Sequence, residues 1–424
     1  MNGADAKGAQ VLFTNVHVFD GVSEKRVENA NVLVEDNLIK QISADTITAD
    51  GATVIHGGGG TLMPGIIEAH GHLSLAAASV ADLLTQLPDY IAIVTATQAE
   101  VMLMNGVTTA RDMAGAVFGV KKAIDEGLIP GPRIYPSGPM ICQTSGHLDF
   151  RFPNQANPSL GGPVPTSDLN HYSALVDGVP KMLATAREQL RLGASQIKLA
   201  IGGGVSSPTD PIDVTEFTKE EIAAAVAAAE NWGTYVTVHG YTDRAVNQAI
   251  DAGVKVIEHG HLLSRRTLER MAKEGIWLSF QPFTESSEPT FTALQNEKQA
   301  IVSKGTASVY EMIRTMPELK VVHGTDIYLN PPDGNKDEVK QMERLLKWFT
   351  PFEILKMSTG NVGELLKLCG PRNPYPGDLG VVKEGAYADL LVIEGNPLED
   401  LTEVTNRDHL KIIMKDGQIR KNTL

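Results

Sequence analysis

Residues 64–72 read PGIIEAHGH, a Pro-Gly turn followed by a short apolar run and two histidines at alternate positions. Alternate residues of a β-strand point to the same face, so this segment predicts a strand whose end presents His70 and His72 together. Four further polar residues lie within or just after short apolar runs: Lys198 in SQIKLA, His239 in TYVTVHG, His259 in KVIEHG and Asp326 in KVVHGTD. Side chains supplied one strand at a time predict a site at the mouth of a parallel β/α barrel.

The middle of the chain alternates between strand-like and helix-like segments, a pattern typical of an α/β protein built on a (β/α)8 TIM barrel. The predicted barrel strands are Gly65–Ala69, Val107–Arg111, Arg133–Ser137, Gln196–Ala200, Tyr235–Val238, Val254–Glu258, Trp277–Phe280 and Lys320–His323. One such barrel holds roughly 250 residues or more, so a chain of 424 residues does not require three domains.

Both ends of the chain are instead rich in strands and turns. Val11–Asp20 alternates apolar and polar residues, and Leu410–Ile419 contains an Asp-Gly pair typical of a β-hairpin. We therefore predict a small composite β-sandwich formed by residues 1–64 and 371–424, and a metal-dependent hydrolase barrel formed by residues 65–370.

Composition and charge narrow the possible partners. The net charge of −14, from 37 basic and 51 acidic residues, argues against a nucleic-acid partner and against anionic lipid. No apolar run reaches the ~18 residues that a membrane span needs. Cys142 and Cys369 form no CxxC motif, so we expect no disulfide framework. The expected compartment is the cytoplasm, or the periplasm or exterior if a signal peptide has been removed.

The histidines and the aspartate of the set predict a metal site only in combination, because each alone also fits an ordinary structural role. Neutral imidazole is the commonest protein ligand for transition metals, and neighbouring strand ends bring His239 and His259 towards one point. Asp326 is the only carboxylate of the set. It could bind a metal and exchange a proton with bound water, or it could cap the following helix.

Lys198 is the unusual member, because an ammonium ion does not bind metals. Its ordinary role would be a surface charge or a salt bridge. A lysine buried at a strand end would have a lowered pKa. Its neutral amine could then combine with carbon dioxide to give a carbamate whose two oxygens bridge two cations. The sequence thus makes a two-metal site one hypothesis, with Lys198 as the bridging ligand.

Three long segments follow predicted strands three, seven and eight, on the side where a barrel places its active site. They are Arg151–Asn170, Gln281–Pro289 and Tyr328–Asp337, and they are either lids and specificity loops or flexible insertions. The glycine runs Gly57–Gly60 and Gly202–Gly204 match neither nucleotide-binding motif, and no GxSxG elbow is present.

Taken together, the motifs resemble the amidohydrolase superfamily along nearly the whole chain. They are VHVFDG, LMPGIIEAHGHL, GVTTARDM, IKLAIGGG, VTVHGY, VIEHG, HGTD and GVVKEGAYADLLVIEGNPLED. Within that superfamily, IKLAIGGG and VHGY are similar to the binuclear dipeptidase and carboxypeptidase group. This group includes prolidase-like and Xaa-Arg dipeptidases, ochratoxinase and imidazolonepropionase-like members. One departure is the HGH at residues 259–261, where the group has Asn, Thr or Ser after HG.

The resemblance implies two divalent metal ions, most often zinc, bridged by a carbamate that carbon dioxide forms on Lys198. The implied ligands are His70, His72 and Asp326 for one ion and His239 and His259 for the other, with Lys198 shared. Asp326 and Lys198 are the implied catalytic residues. Members of the group are often octameric, so the resemblance also implies a homo-oligomer.

The resemblance also indicates how substrate is held. Tyr241, two residues beyond His239, would contact a free carboxylate of the substrate, and His147 and Arg244 are further candidates for that contact. The implied reaction is hydrolysis, by a metal-bridging hydroxide, of the amide bond to a C-terminal amino acid in N-acyl amino acids or dipeptides, with ochratoxin A among the candidate substrates.

Two other functions stay open on the sequence. One is hydrolysis of a cyclic amide, as in imidazolonepropionase or dihydroorotase-like enzymes. The other is a non-catalytic scaffold of the same fold, like the dihydropyrimidinase-related proteins, although such proteins usually lack metal ligands that this chain has. Prolyl, basic and aromatic leaving groups are equally compatible with the motifs.

Overall fold

The computed structural model describes residues 9–207, 209–284 and 291–424. Its strands, in chain order, are β1 (Gln10–Val18), β2 (Val27–Glu35), β3 (Leu38–Ser43), β4 (Thr53–His56), β5 (Thr61–Pro64), β6 (Ile66–Gly71), β7 (Val107–Asp112), β8 (Arg133–Pro136), β9 (Met140–Cys142), β10 (Ser173–Leu175), β11 (Ile197–Ala200), β12 (Val236–Thr242), β13 (Val256–Leu262), β14 (Trp277–Phe280), β15 (Val321–His323), β16 (Leu390–Ile393), β17 (Leu410–Lys415) and β18 (Gln418–Asn422).

Helices separate the strands throughout the middle of the chain. They are α1 (Val80–Thr85), α2 (Pro88–Met104), α3 (Phe118–Asp125), α4 (Thr166–Leu169), α5 (Val179–Leu192), α6 (Lys219–Asn231), α7 (Asp243–Asp251), α8 (Arg265–Glu274), α9 (Ala293–Ile313), α10 (Pro351–Met357), α11 (Gly360–Leu366) and α12 (Thr402–Thr405). Segments Pro158–Leu160, Glu338–Lys347 and Lys367–Arg372 are 3₁₀ helices.

Local sequence explains where several helices begin. Capping boxes, in which a hydroxyl and an acidic or amide side chain satisfy each other's backbone N–H groups, start α1, α6, α9 and α10. The residues at these N-caps are Ser79, Thr218, Thr292 and Thr350. Each capping box therefore fixes the residue at which its helix begins.

Strands from both ends of the chain share one sheet of eight strands, in the order β18-β17-β16-β5-β1-β2-β3 with β4 beside β1. The antiparallel pairing of β5 with β16 joins the two ends. The hairpin expected at Leu410–Ile419 is present as β17 and β18. The predicted sandwich and its boundaries at residues 64 and 371 stay predictions.

All eight predicted barrel strands are present, as β6, β7, β8 and β11–β15, and their neighbours pair in parallel. The fold is a TIM-barrel-like α/β fold. Within the described residues, however, the strands form two sheets, β6-β7-β8 and β10-β9-β11-β12-β13-β14-β15, and hydrogen-bonded ladders do not close them into one barrel. The unpredicted strand β9, and not β8, pairs with β11.

Single backbone hydrogen bonds bridge the two gaps between these sheets. At one gap the Ser195 N–H donates to the Pro136 carbonyl at 2.8 Å, and at the other the Asp326 N–H donates to the His70 carbonyl at 3.0 Å. Pro136 ends β8 and has no N–H to extend a ladder, and β9 takes the place beside β11. The second bond connects the ends of β6 and β15.

A buried ion pair fastens the terminal sheet to the barrel. The Arg133 guanidinium on β8 lies 2.7 Å from the Asp389 carboxylate and 2.6 Å from that of Asp416, in the β17–β18 turn. Arg133 and Asp389 are almost completely buried. Among the described residues, no helix is both long and apolar enough to cross a membrane.

Candidate metal centre

All but one of the predicted site residues meet in one cavity at the carboxyl ends of the barrel strands, with a void of about 440 Å³ that includes its opening to solvent. Those that line it are His70, His72, His147, Lys198, His239, Tyr241, His259 and Asp326. Parallel strands such as β11, β12 and β13 are buried along almost their whole length and are therefore mostly apolar, so polar groups at their ends stand out.

Asp326 lies at the centre of one group of side chains. Its Oδ1 atom is 3.0 Å from His72 Nε2 and 3.4 Å from His70 Nε2, and its Oδ2 atom is 3.8 Å from His259 Nδ1. Ligand atoms of His70, His259 and Asp326 all lie within 4.8 Å of one another. These three residues alone could hold a metal ion.

A second group forms around His239. Its ring centroid lies 4.5 Å from that of His259 and 4.9 Å from that of Tyr241, and it stacks on His147 at 4.3 Å. The His239 Nε2 atom also lies 3.3 Å from the carbonyl oxygen of Gly203. His259 thus lies between the two groups.

The protonation states of these side chains suit metal binding. Burial lowers the pKa of His70 to about 4 and holds the pKa of His239 and His259 well below the usual value. Burial alone would raise the pKa of Asp326, but its interactions with His70 and His72 lower it. At pH 7, His70, His239 and His259 are therefore neutral and Asp326 is a carboxylate, which are the forms that coordinate divalent ions.

Lys198 reaches this cavity from β11 and is 1% exposed. Burial lowers the pKa of its amine to about 8. In the part of the chain that the structure describes, no ion pair within 4.0 Å and no side-chain hydrogen bond engages its Nζ atom. Lowering the pKa increases the neutral fraction of the amine, which is the form that can react with carbon dioxide.

Glu258 and Arg111 brace the site and were not predicted. Glu258 accepts from His70 Nδ1 at 2.7 Å and from Arg111 Nη2 at 2.6 Å, and all three side chains are buried. Burial opposes ionisation of Glu258, but Arg111 above all keeps its pKa well below the usual range. A carboxylate on Nδ1 fixes the His70 tautomer that leaves Nε2 free for a metal. The feature of the sequence that could have indicated Glu258 is its charge inside the apolar run KVIEHG.

Glu68 connects the two strands that carry His70 and Asp326. Its Oε1 atom accepts from the backbone N–H groups of His70 at 2.7 Å and of Thr325 at 2.9 Å. Glu68 is 4% exposed. Like Glu258, it is an acidic residue within an apolar strand, and it is not among the predicted site residues.

A network around His147 extends away from the metal ligands. His147 Nδ1 lies 2.7 Å from Ser207 Oγ and 3.8 Å from the Asp210 carboxylate. Lys298, buried on α9, donates to the carbonyl oxygens of Ser207 at 2.6 Å and of Asp210 at 2.9 Å. Gly204 packs so closely that a Cβ there would lie 2.1 Å from the His147 ring.

Arg244 is the one predicted site residue that the structure does not bring to the cavity. It is exposed on α7, because the same helix buries Ala245 and Val246 against the barrel. A second, larger cavity adjoins this one and shares Tyr241 and Asp326 with it. The predicted loop Arg151–Asn170 contributes no residue to either cavity. Residues 285–289 of the predicted loop Gln281–Pro289 lie outside the described residues.

Comparison with known proteins identifies the family. A sequence model of the Amidohydrolase family matches residues 61–420. The chain belongs to this family. The match confirms the resemblance seen in the motifs, and it extends from the terminal sheet through the whole barrel.

Individual relatives come from the group that the motifs indicated. An ochratoxinase from Aspergillus niger is 30% identical over 333 residues, which are 75% of this chain and 66% of that protein. Its crystal structure has a TM-score of 0.85 at 25% identity, over 98% of this chain and 96% of the fungal one. A prolidase solved with N-methylphosphonate-L-proline has a TM-score of 0.90 at 29% identity, over 98% and 100%.

Proposed function

We propose that this protein is a metal-dependent amidohydrolase that releases a C-terminal amino acid from N-acyl amino acids or dipeptides. The observation that carries the proposal is the convergence of the six candidate ligands with Tyr241 and His147 on one cavity. The similarity to an ochratoxinase and to a prolidase bound to a proline derivative supports the same class of substrate.

The donor set fits two divalent ions, with zinc the first candidate because imidazole and carboxylate are its usual ligands. His70, His72 and Asp326 would hold one ion, His239 and His259 the other, and a carbamate on Lys198 would bridge them. When bound, such ions activate water and polarise a carbonyl group. Two ions are favoured over one because His259 lies between the group around His239 and the group around Asp326.

Asp326 is suited to carry a proton in this reaction. Its carboxylate is ionised, and it lines both the ligand cavity and the larger cavity next to it. In our proposal it accepts a proton as the amide is attacked and delivers it to the nitrogen of the leaving amine. Its backbone N–H bond to His70 holds it in position throughout.

Tyr241 and His147 would hold the carboxylate of the leaving amino acid. Tyr241 is 3% exposed, lines both cavities, and has a ring 4.9 Å from that of His239. Burial raises the pKa of Tyr241 well above its usual value, so the hydroxyl stays protonated and can donate a hydrogen bond to an anion. Anchoring the carboxylate would place the scissile bond beside the metal ligands.

A substrate panel tests this function. The zinc-supplemented protein would be given N-acyl amino acids, dipeptides, their C-terminally amidated counterparts, ochratoxin A and imidazolone propionate, with chelator-treated protein as the control. We expect turnover of amides that end in a free carboxylate, and little turnover of the amidated counterparts. Turnover of imidazolone propionate alone would instead establish the cyclic-amide alternative.

A further inference from the structure

Gln281 contacts both histidines of the HGH motif that lies at the end of β13. The last hydrogen-bonded pair of β13 and β14 is Glu258 with Ser279, so two residues further along each strand Gln281 lies level with the middle of the motif. Its side chain reaches His259 and its backbone carbonyl reaches His261. Gln281 and both histidines are buried.

The side-chain amide of Gln281 has its orientation fixed by its own strand. Its Nε2 atom donates to the Ser279 carbonyl at 3.3 Å, and a carbonyl oxygen can only accept. Oε1 is then the atom that lies 2.8 Å from His259 Nδ1. Because an amide oxygen also only accepts, the imidazole proton of His259 is on Nδ1. This tautomer leaves Nε2 free to bind a metal.

His261 holds the backbone of Gln281 in turn. Its Nε2 atom lies 3.0 Å from the Gln281 carbonyl oxygen and therefore carries a proton, which it donates in a hydrogen bond. The ring of His261 stacks on Phe280 at 4.2 Å and on Phe283 at 4.6 Å. His261 lines neither of the two cavities at the barrel mouth. Its described contacts are thus with the segment that carries Gln281.

We propose that Gln281 is a positioning residue that sets the tautomer of His259, and that His261 acts through it by holding its backbone. This inference rests on the proposed metal centre, in which His239 and His259 hold one of two ions. Without Gln281, a neutral His259 populates both tautomers, and the form protonated on Nε2 cannot coordinate through that atom. Losing Gln281 should therefore weaken the ion that His239 and His259 hold.

Two substitutions of Gln281 separate this role from simple packing. Gln281→Leu removes the acceptor and should weaken the binding of one of two zinc ions about 10–100-fold. Gln281→Glu keeps an oxygen on His259 Nδ1 but buries a charge, so it should lower stability and yet restore most of the zinc affinity. A merely structural Gln281 requires the opposite order, with the buried charge more harmful to both quantities. That order, or wild-type zinc affinity in Gln281→Leu, would overturn the proposal.

Gln189→Leu is the matched control. Gln189 is a second buried amide whose Nε2 atom donates to a backbone carbonyl, that of Pro139 at 2.7 Å, and it lines neither cavity. We expect both leucine variants to unfold at lower urea concentration, and only Gln281→Leu to lose zinc affinity in titration against a competing chelator. Equal losses of zinc affinity in the two variants would refute a specific role for Gln281.

A double-mutant cycle tests the part given to His261. His261→Phe keeps an aromatic ring in the stack but removes the N–H that holds the Gln281 carbonyl. It should weaken zinc binding in the wild-type background and have little further effect in Gln281→Leu, because His261 acts through Gln281. Additive losses in the double variant would remove His261 from this role.

The tautomer itself can be measured without a metal. ¹⁵N NMR of metal-free, histidine-labelled protein distinguishes imidazole protonated on Nδ1 from imidazole protonated on Nε2, and His259→Asn identifies the His259 signals. We expect the Nδ1–H form in wild type and a mixture in Gln281→Leu. The Nε2–H form in wild type would overturn the inference. If wild type binds no zinc, the proposed metal centre fails, and this measurement still tests Gln281.

Discussion

Glu258→Gln is the sharpest test of how the candidate metal centre is organised. The substitution keeps the shape of the side chain but removes a charge that lies 2.6 Å from Arg111 and 2.7 Å from His70. If the amide oxygen faces Arg111, its NH₂ group faces His70 Nδ1. That nitrogen must then accept a hydrogen bond, so the proton moves to Nε2, where it blocks metal coordination.

Two magnitudes follow from this geometry. Removing one partner of a buried ion pair typically costs about 3–5 kcal/mol of folding free energy, which is within the ~5–15 kcal/mol that proteins of this kind possess. Loss of the carboxylate that orients a metal-bound histidine typically reduces metal affinity or activity about 10–100-fold. We therefore expect Glu258→Gln to fold at 25 °C, to unfold at lower urea concentration, and to bind zinc more weakly.

Asp389→Asn is the matched control, because Asp389, next to β16 of the terminal sheet, forms a similarly buried pair with Arg133 on β8. Asp416 remains on Arg133 in that variant, so we expect a smaller loss of stability and an unchanged zinc affinity. Urea denaturation and zinc titration against a competing chelator measure the two quantities separately. Wild-type zinc affinity in Glu258→Gln, or equal losses in both variants, would refute the role given to Glu258.

Three further predictions concern the reaction and its supports. Lys198→Ala should lose bound metal and activity together, and a fully active, metal-free variant would end the two-metal proposal. In wild type, at a fixed concentration of dissolved carbon dioxide, the rate at which zinc reactivates metal-free protein should rise with pH and level off above the lysine pKa of about 8, because only the neutral amine forms a carbamate. Tyr241→Phe should raise KM for free carboxylates about tenfold and leave amidated analogues unaffected, so equal effects on both would remove it from that contact. Lys298→Met should remove the hydrogen bonds to the carbonyl oxygens of Ser207 and Asp210, which lie beside His147. Because His147 would hold the substrate carboxylate, KM should rise more than kcat falls. An unchanged KM would show that the segment from Ser207 to Asp210 does not position His147.

The position of the candidate site could be predicted from the sequence because the barrel strands follow a regular pattern. An apolar run that ends in a polar residue marks a strand end, and parallel strand ends meet at one edge, so the meeting of Lys198, His239 and His259 could be anticipated. The same rule does not apply to Arg244, because α7 begins directly after β12 and turns that side chain to solvent. Helical phase, and not distance along the chain, decided its position.

Other features could not be read from the sequence because they depend on contacts between distant segments. Arg111 and Glu258 are 147 positions apart, and nothing in either motif specifies the partner. The missing ladder between β8 and β11 depends on where β9 inserts, and β9 has only three residues. The shape of the larger cavity beside the candidate ligands depends on how α9 and the segment from Ile327 to Gly334 approach one another.

The backbone conformation of two candidate ligands shows how the protein itself fixes their arrangement. His259 and Asp326 have left-handed backbones, with φ of 77° and 55°, which cost about 1–2 kcal/mol each for residues with a Cβ. Such conformations persist where surrounding contacts over-determine them. Here the Asp326 N–H bonds to the His70 carbonyl, and His259 Nδ1 lies 2.8 Å from Gln281 Oε1. The folding energy of the barrel therefore offsets the strain at two candidate ligands and holds them near one another.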